Sequence, residues 1–370
     1  MYKPFTPEKI WIEKRVLRNE TTREILSRLP EVPVKEIGTI NEVLAREINA
    51  SGEKILILAK QEGEFLKPCP GTRNYICCNY FFLNLATNCD INCSYCILQS
   101  YLNNPYMTVY TNLDEMYPEL DKLLKKNANR FYRIGTGELT DSLTLDHLTR
   151  YSKKLIPFFL KHNNAILELK TKTTQIDNLL DFSPQNRVIV SWSLNPQEVI
   201  DREEKKSPSL RQRLAAAKQC GEAGYLLGFH FDPLIHYAGW ENGYRDVVRR
   251  IFAAVPADRI VWISLGALRY SADMDRIVRK RHPESTIVLG EMFSGKDGKL
   301  RYFRPIRERM FQRMVQWIRQ EDNQVRVYLC MESPEVWRKA FGEQPLVQCG
   351  LPQQLDQAVF QRRDGAEPVC

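Results

Sequence analysis

No stretch of the chain holds the roughly 18 consecutive apolar residues that a membrane-spanning helix needs. The opening segment, MYKPFTPEKIWIEKRVLRNE, has no apolar core of the kind a secretory signal carries. No membrane partner is therefore expected, and the expected compartment is the cytosol. Internal repeats and low-complexity tracts are also absent, which speaks against a solenoid. What remains is ordinary globular material: 370 residues, 43% hydrophobic and 26% charged. That length suits a single α/β barrel with additions, and the composition supplies a core of normal size.

A disulfide framework is missing too. The ten cysteines are not spaced as one, and a chain this long does not need it. Three of them instead crowd into one short segment, a pattern that in a reducing compartment favours metal or redox chemistry. Charge is uneven as well. The formal net charge is +8, and between Arg269 and Arg313 twelve Lys/Arg stand against six Asp/Glu, a surplus of six. A region of this kind suits a polyanion such as nucleic acid, and it also fits an unevenly charged, solvated helix face.

The pattern divides the chain into three stretches. Residues 1–75 form an N-terminal extension, in which TPEKIWIEKRVLRNETTREILSRLP reads as helix, with Thr6 as N-cap before Pro7. Ile55–Leu58 has the character of a strand, and Pro68, Pro70 and Gly71 then break the pattern. Over residues 76–268, apolar runs at Tyr80–Leu85, Arg130–Ile134, Ala165–Leu169, Val188–Ser193, Tyr225–Phe231 and Arg259–Leu265 alternate with helix-period segments. Short continuous apolar runs are how buried parallel strands read, so the expected fold is α/β, a partial (β/α)6 barrel of the TIM type. In such barrels chemistry sits at the C-terminal ends of the strands. Residues 269–370 form an α+β addition. It holds a hairpin around Gly295–Gly298, the basic helix RPIRERMFQRMVQWIRQ, the strand VRVYLCM, a helix capped by Ser333 and begun by Pro334, and an unordered tail after Gln353.

The segment LATNCDINCSYCILQSY follows the first barrel strand and carries Cys89, Cys93 and Cys96 as Cys-x3-Cys-x2-Cys. Three thiolates on one loop can each bind one iron of a cubane cluster and leave the fourth iron open. A structural zinc site wants four ligands, and no fourth stands close by; Cys77 and Cys78 precede the strand and are expected at its opposite end. A zinc or other metal site remains the alternative.

This spacing resembles that of the radical S-adenosylmethionine superfamily. The resemblance implies a [4Fe–4S] cluster whose open iron chelates S-adenosylmethionine and cleaves it reductively to a 5′-deoxyadenosyl radical. It also implies that Tyr95 packs near the adenosine. After the second strand, RIGTGELTDS resembles the superfamily's glycine-glycine-glutamate motif, which places Gly135 and Gly137 against the cofactor and Glu138 on its ammonium group. CSYCILQSYLNNPYMTVYTN, DSLTLDHLT, LELKTKT, SWSLNPQEVI and GFHFDPLIHYAGWENGY form a wider pattern over residues 75–265. That pattern resembles the spore photoproduct lyase family, which reverses thymine–thymine adducts in ultraviolet-damaged DNA. It implies that Lys172 and Ser191 or Ser193 contact the cofactor, that damaged DNA is the partner, and that a flavodoxin or ferredoxin donates electrons. Two departures stand out. Glu138 occupies the place of the family's hydrogen-donating cysteine, and Ile97 the place of a second tyrosine beside the last cluster ligand.

Other candidates are open to two readings. His230, Asp232 and His236 end the fifth strand, where they could face substrate, hydrogen-bond within the fold or bind a metal. Cys330 ends a later strand and could return the missing hydrogen atom, although free cysteine is more often simply buried. On the hairpin, Lys296, Lys299, Arg301 and Arg304 with Tyr302 and Phe303 suit phosphates and bases, or pack their rings inward. Two further functions compete with repair: the same radical chemistry on another nucleotide or small molecule, and nucleic-acid binding with a structural or redox-sensing cluster.

Overall fold

The computed structural model describes residues 2–46, 54–71, 75–342 and 349–365. Its strands fall into three sheets. The first is built from β1 (Lys9–Glu13), β2 (Val34–Ile37) and β3 (Ile55–Ala59). The second begins with β4 (Leu66–Pro68) and β5 (Phe81–Leu83). The chain then returns to the first sheet through β6 (Ala86–Thr87) and β7 (Met107–Tyr110), giving the order β2-β1-β3-β7-β6.

The barrel strands follow: β8 (Tyr132–Gly135), β9 (Ala165–Thr171), β10 (Val188–Ser193), β11 (Leu226–Leu234) and β12 (Ile260–Ala267). After these come β13 (Arg269–Tyr270), β14 (Phe293–Ser294), β15 (Leu300–Arg301) and β16 (Arg326–Leu329). The large sheet runs β16-β12-β11-β10-β9-β8-β5-β4. Its first seven strands are parallel, and only β4 is antiparallel, at the edge. Ile76, between β4 and β5, bridges to Glu332, just beyond β16 at the far edge, so the sheet curls until its two margins meet. The six predicted strands are all present, and VRVYL adds a seventh. The third sheet is the small antiparallel β13-β15-β14, which contains the predicted hairpin.

Two expectations fail. Residues 9–13 form a strand, and the helix of that segment starts only at Glu20. Both faces of β1 are covered: Ile10 and Ile12 join the main core, while Trp11 joins a small cluster with Ile37, Ile55, Ile57, Ala59 and Tyr106. A strand buried on both faces has no period-2 alternation, and periodicity alone does not separate it from a helix. The stretch after Gln353 is not an unordered tail either. Leu351–Asp364 is a helix that buries Leu351, Leu355, Ala358 and Val359, and its Asp356 pairs with Arg133 at 2.7 Å.

Leu355→Ala tests that packing. Truncation of a fully buried leucine costs roughly 2–5 kcal/mol, whereas an unordered tail would give a change within about 0.5 kcal/mol. A clear fall in the urea unfolding midpoint is the expected result.

Candidate active site

The cysteine loop is shaped by its asparagines. Asn88 and Asn92 lie in the left-handed region at φ 70° and 56°, a conformation their side chains tolerate better than most. The Asn88 side chain donates to the carbonyls of Asn104 (2.6 Å) and Tyr106 (2.7 Å). Its backbone meets the loop after β8: Asn88 N–H donates to Leu139 O at 2.9 Å, and the Thr140 hydroxyl donates to Asn88 O at 2.7 Å. The cysteine loop and the glycine-glutamate loop are therefore one hydrogen-bonded unit.

Two consecutive carboxylates hold the residues between Cys93 and Cys96. Glu203 accepts from the Ser94 hydroxyl, and its carbonyl accepts from Ser94 N–H at 2.9 Å. Glu204 accepts from the Tyr95 phenol and from Asn195 at 2.9 Å, and pairs with Arg213; both charged side chains are fully buried. Burial works against an ionised Glu204, but Arg213, Lys172 and these hydrogen bonds outweigh it and bring its pKa down to about 2.

Burial pushes all three thiols of Cys89, Cys93 and Cys96 upward, and Asp141 and Asp90 push Cys89 further. Lys172 opposes this at Cys93 and Cys96, and its ammonium lies 5.7 Å from the Tyr95 ring centroid. Among the described residues no three His, Cys, Asp or Glu side chains close into a ligand shell. Three thiols on one loop, that of Cys93 buried and those of Cys89 and Cys96 half-buried, beside a lysine do fit an iron–sulfur cluster. Ligation would remove their protons, and the cation would offset the charge gained.

The loop after β8 brings Glu138 to the same mouth, where the Tyr80 phenol donates to it. Gly137 is required by its neighbour strand: a Cβ there would lie 2.9 Å from the carbonyl oxygen of Lys170. Ser191 donates to Glu168, and the Ser193 carbonyl accepts from Arg213 at 2.9 Å. Lys172 N–H is fixed by Asp141 at 2.7 Å.

Inside the barrel the charged groups pair with one another. Glu168 meets His230 at 2.9 Å and accepts from Trp262 at 3.3 Å. Burial raises its pKa, but His230, Ser191 and Lys170 overcome that and lower it to about 2. Asp232 and Arg269 form a two-pronged pair, with both contacts at 3.0 Å. Burial disfavours the Lys170 ammonium, yet Glu138, Glu168, Asp232 and Cys330 surround it and raise its pKa overall.

The predicted trio at the fifth strand is not brought together. His230 turns to Glu168 and Asp232 to Arg269, while His236 packs between Trp240 and Tyr302. Cys330 does reach the mouth, half-buried beside Arg269. On the hairpin, Arg301 is buried against Asp297, and Tyr302 is buried with its hydroxyl accepting from His236 N–H at 3.1 Å. Arg304 is exposed and pairs with Glu308, and Lys299 is half-buried, its pKa lowered first by burial and then by Arg269. The outward rings are Phe303 and Phe293, 50% and 47% exposed, with centroids 5.0 Å apart. Cys78 does not lie away from the chemistry as expected: it is close enough to act electrostatically on Cys330.

Tyr80, Glu168, Lys170 and Arg269 were not found from the sequence. One signal was available. In LELK, Glu168 and Lys170 alternate with Leu167 and Leu169, and charges at i and i+2 of a buried strand mark the face turned to a polar lumen.

The Glu204–Arg213 pair sets a pH window. A carboxylate lowered on folding from 4.5 to about 2 stabilises fully above about pH 4.5, and that stability is lost as pH falls toward 2. Glu204→Gln leaves Arg213 buried and unpaired, so a loss of roughly 3–5 kcal/mol is expected at pH 7. In urea melts, that deficit against the parent protein should shrink on acidification from pH 4.5 toward 2.

The chain is similar to known proteins over most of its length. Residues 5–321 match the family model described as spore photoproduct lyase. Spore photoproduct lyase of Bacillus subtilis (strain 168) is 28% identical over 304 residues, 79% of this chain and 86% of that protein. Its counterpart from Geobacillus sp. (strain Y412MC61) is 27% identical over 302 residues, 78% of this chain and 86% of that protein. A solved spore photoproduct lyase complexed with dinucleoside spore photoproduct superposes with a TM-score of 0.78 at 25% identity, covering 88% of this chain and 100% of that one. The chain belongs to the spore photoproduct lyase family.

Proposed function

We propose that this chain is a radical S-adenosylmethionine enzyme that repairs covalently linked thymines in DNA by breaking the carbon–carbon bond between them. One observation carries the reading: the loop of Cys89, Cys93 and Cys96 and the loop of Glu138 are hydrogen-bonded into one unit over a charged barrel lumen. A structural or redox-sensing cluster has no use for that second loop. When bound to the three thiolates, a [4Fe–4S] cluster would supply an electron and an open iron for reductive cleavage of S-adenosylmethionine. A low-potential donor of the flavodoxin or ferredoxin class would supply that electron.

The chain's own groups do the positioning. Glu138, oriented by Tyr80, receives the ammonium of S-adenosylmethionine. Tyr95, held by Glu204, presents its ring beside Lys172, and Gly135, Ser191 and Ser193 line the adjoining strand ends. His230 is fixed by its contact with Glu168, and Asp232 by its ion pair with Arg269, at the lumen, where the linked bases would sit. Outside, Lys296, Lys299 and Arg304 offer cations to phosphates, and the paired Phe293 and Phe303 offer rings to bases drawn out of the stack.

The test is anaerobic reconstitution with iron and sulfide, reduction, and addition of S-adenosylmethionine with an oligonucleotide carrying the thymine adduct. Both 5′-deoxyadenosine and repaired thymines are expected above the no-enzyme control. 5′-Deoxyadenosine without repair would reject the lesion while leaving the radical chemistry. Neither product from a protein with full iron content would reject both. Glu138→Gln should retain iron and lose S-adenosylmethionine affinity by about tenfold or more, since a charge-assisted hydrogen bond is worth roughly 1.5–3 kcal/mol. Phe293→Ala with Phe303→Ala should weaken binding of the oligonucleotide by roughly 1–3 kcal/mol per stacked base, measured at fixed salt.

A further inference from the structure

Scission of the bond joining two thymines leaves one of them as a carbon radical, and repair is complete only when that radical gains a hydrogen atom. Among side chains, a protonated thiol yields a hydrogen atom most readily, and a thiolate has none to give. Cys89, Cys93 and Cys96 are assigned to iron, and Cys220 is fully buried on the helix Leu210–Glu222. Cys69 and Cys77 interact with each other, as do Cys77 and Cys78.

Cys330 feels Cys78 but is held by a different set of partners. It directly follows β16, the seventh parallel strand, and its N–H donates to Leu265 O of β12 at 2.8 Å, which fixes it at the C-terminal mouth of the barrel. It is half-buried, not sealed into the core. Arg269 reaches its sulfur at 3.5 Å while gripping Asp232 with both nitrogens, which brings the Asp232 carboxylate close enough to act on the thiol. Gly266 leaves room for this arrangement, since a Cβ there would lie 2.6 Å from Asp232 Oδ1 and 2.9 Å from Arg269. Lys170 joins the two ends of the site, because both Glu138 and Cys330 act on it.

Resting on the repair reading above, we infer that Cys330 is the hydrogen-atom donor to the thymine radical, with Asp232 and Arg269 as its positioning residues. The S–H bond of Cys330 breaks and a C–H bond forms at the methylene carbon of the released thymine. Proton and electron travel together and leave a thiyl radical on Cys330. One electron from the low-potential donor the reaction already requires, and one proton from water, restore the thiol. Burial and the adjacent Asp232 charge push the thiol well above its ordinary range against the pull of Arg269, so the sulfur keeps its proton at neutral pH.

The test has two arms. In deuterium oxide, the parent protein should place one deuterium in each repaired thymine methyl. Cys330→Ala and Cys330→Ser should still form 5′-deoxyadenosine, while repaired thymine per 5′-deoxyadenosine falls roughly tenfold or more and the label is lost. Asp232→Asn should lower the same ratio. The second arm uses cluster-free protein and follows iodoacetamide alkylation of the Cys330 peptide against pH by mass spectrometry. The parent thiol should react only well above the range of an ordinary cysteine, and Asp232→Asn should move that profile to lower pH. Unchanged coupling and label in Cys330→Ala would overturn the assignment, as would loss of both in Cys78→Ala alone. An ordinary alkylation profile that Asp232→Asn leaves in place would overturn the positioning roles, even if the parent protein repairs nothing. 5′-Deoxyadenosine without repair by the parent protein would instead overturn the reading on which the donor role rests.

Discussion

The structure depends on one constraint: a barrel whose lumen carries ionised side chains must pair every one of them from within. An unpaired buried charge costs several kcal/mol, so the inward carboxylates are met by hydrogen-bond donors and several by a basic side chain on another element. Glu168 on β9 meets His230 on β11, and Asp232 on β11 meets Arg269 on β13. Glu204, at the end of the helix Gln197–Glu203, meets Arg213 on the next helix. The first two pairs join elements distant in sequence, so satisfying those charges also ties separate strands together. The polar lumen is thus both the site and part of what holds its walls in place.

The same pairing transmits order to the cysteine loop. Its coil carries few buried apolar side chains of its own, Ile91 being the clearest. What holds it is a ring of hydrogen bonds: Asn88 to the Glu138 loop, Ser94 to Glu203, and Tyr95 to Glu204. Placing the anchors on consecutive residues at the end of one short helix means that a shift of that helix would move Ser94 and Tyr95 together, with Cys93 and Cys96 on either side. The ligands are thereby set by rigid elements although they lie on a loop.

How far the sequence revealed this depended on how local each feature is. The Cys89–Cys93–Cys96 spacing and the Gly135–Glu138 motif are short-range patterns, and both could be read directly. The six strands could be read because a parallel strand buried on both faces leaves an unbroken apolar run. That same property misled at Lys9–Glu13, where an unbroken run joined to a helical segment offered no period to separate them. The helix Leu351–Asp364 was missed for the opposite reason: its apolar stripe is diluted by Gln353, Gln354 and Gln357, and its stability comes from packing on β12 and β16. In the hairpin, strands of two residues are too short for alternation, so the inward turn of Tyr302 and the outward turn of Phe303 appear only in three dimensions.

Partnering was the least legible feature. His230, Asp232 and His236 lie within seven residues and invite a common role, yet the fold sends them to three different neighbours. Conversely, Asp232, Arg269 and Cys330 span nearly a hundred residues and meet at one point, because β11, β12 and β16 are successive neighbours in the sheet. The inferred donor at the end of the seventh strand opens on the same mouth as the loop after the second. In a curled sheet whose margins meet, the strand ends surround one shared opening, and a thiol can serve the same radical from either side of it. The position of a donor along the sequence can then change without changing the chemistry, provided that the new strand end carries a group that keeps the thiol protonated. At Cys330, burial and then Asp232 act in that direction.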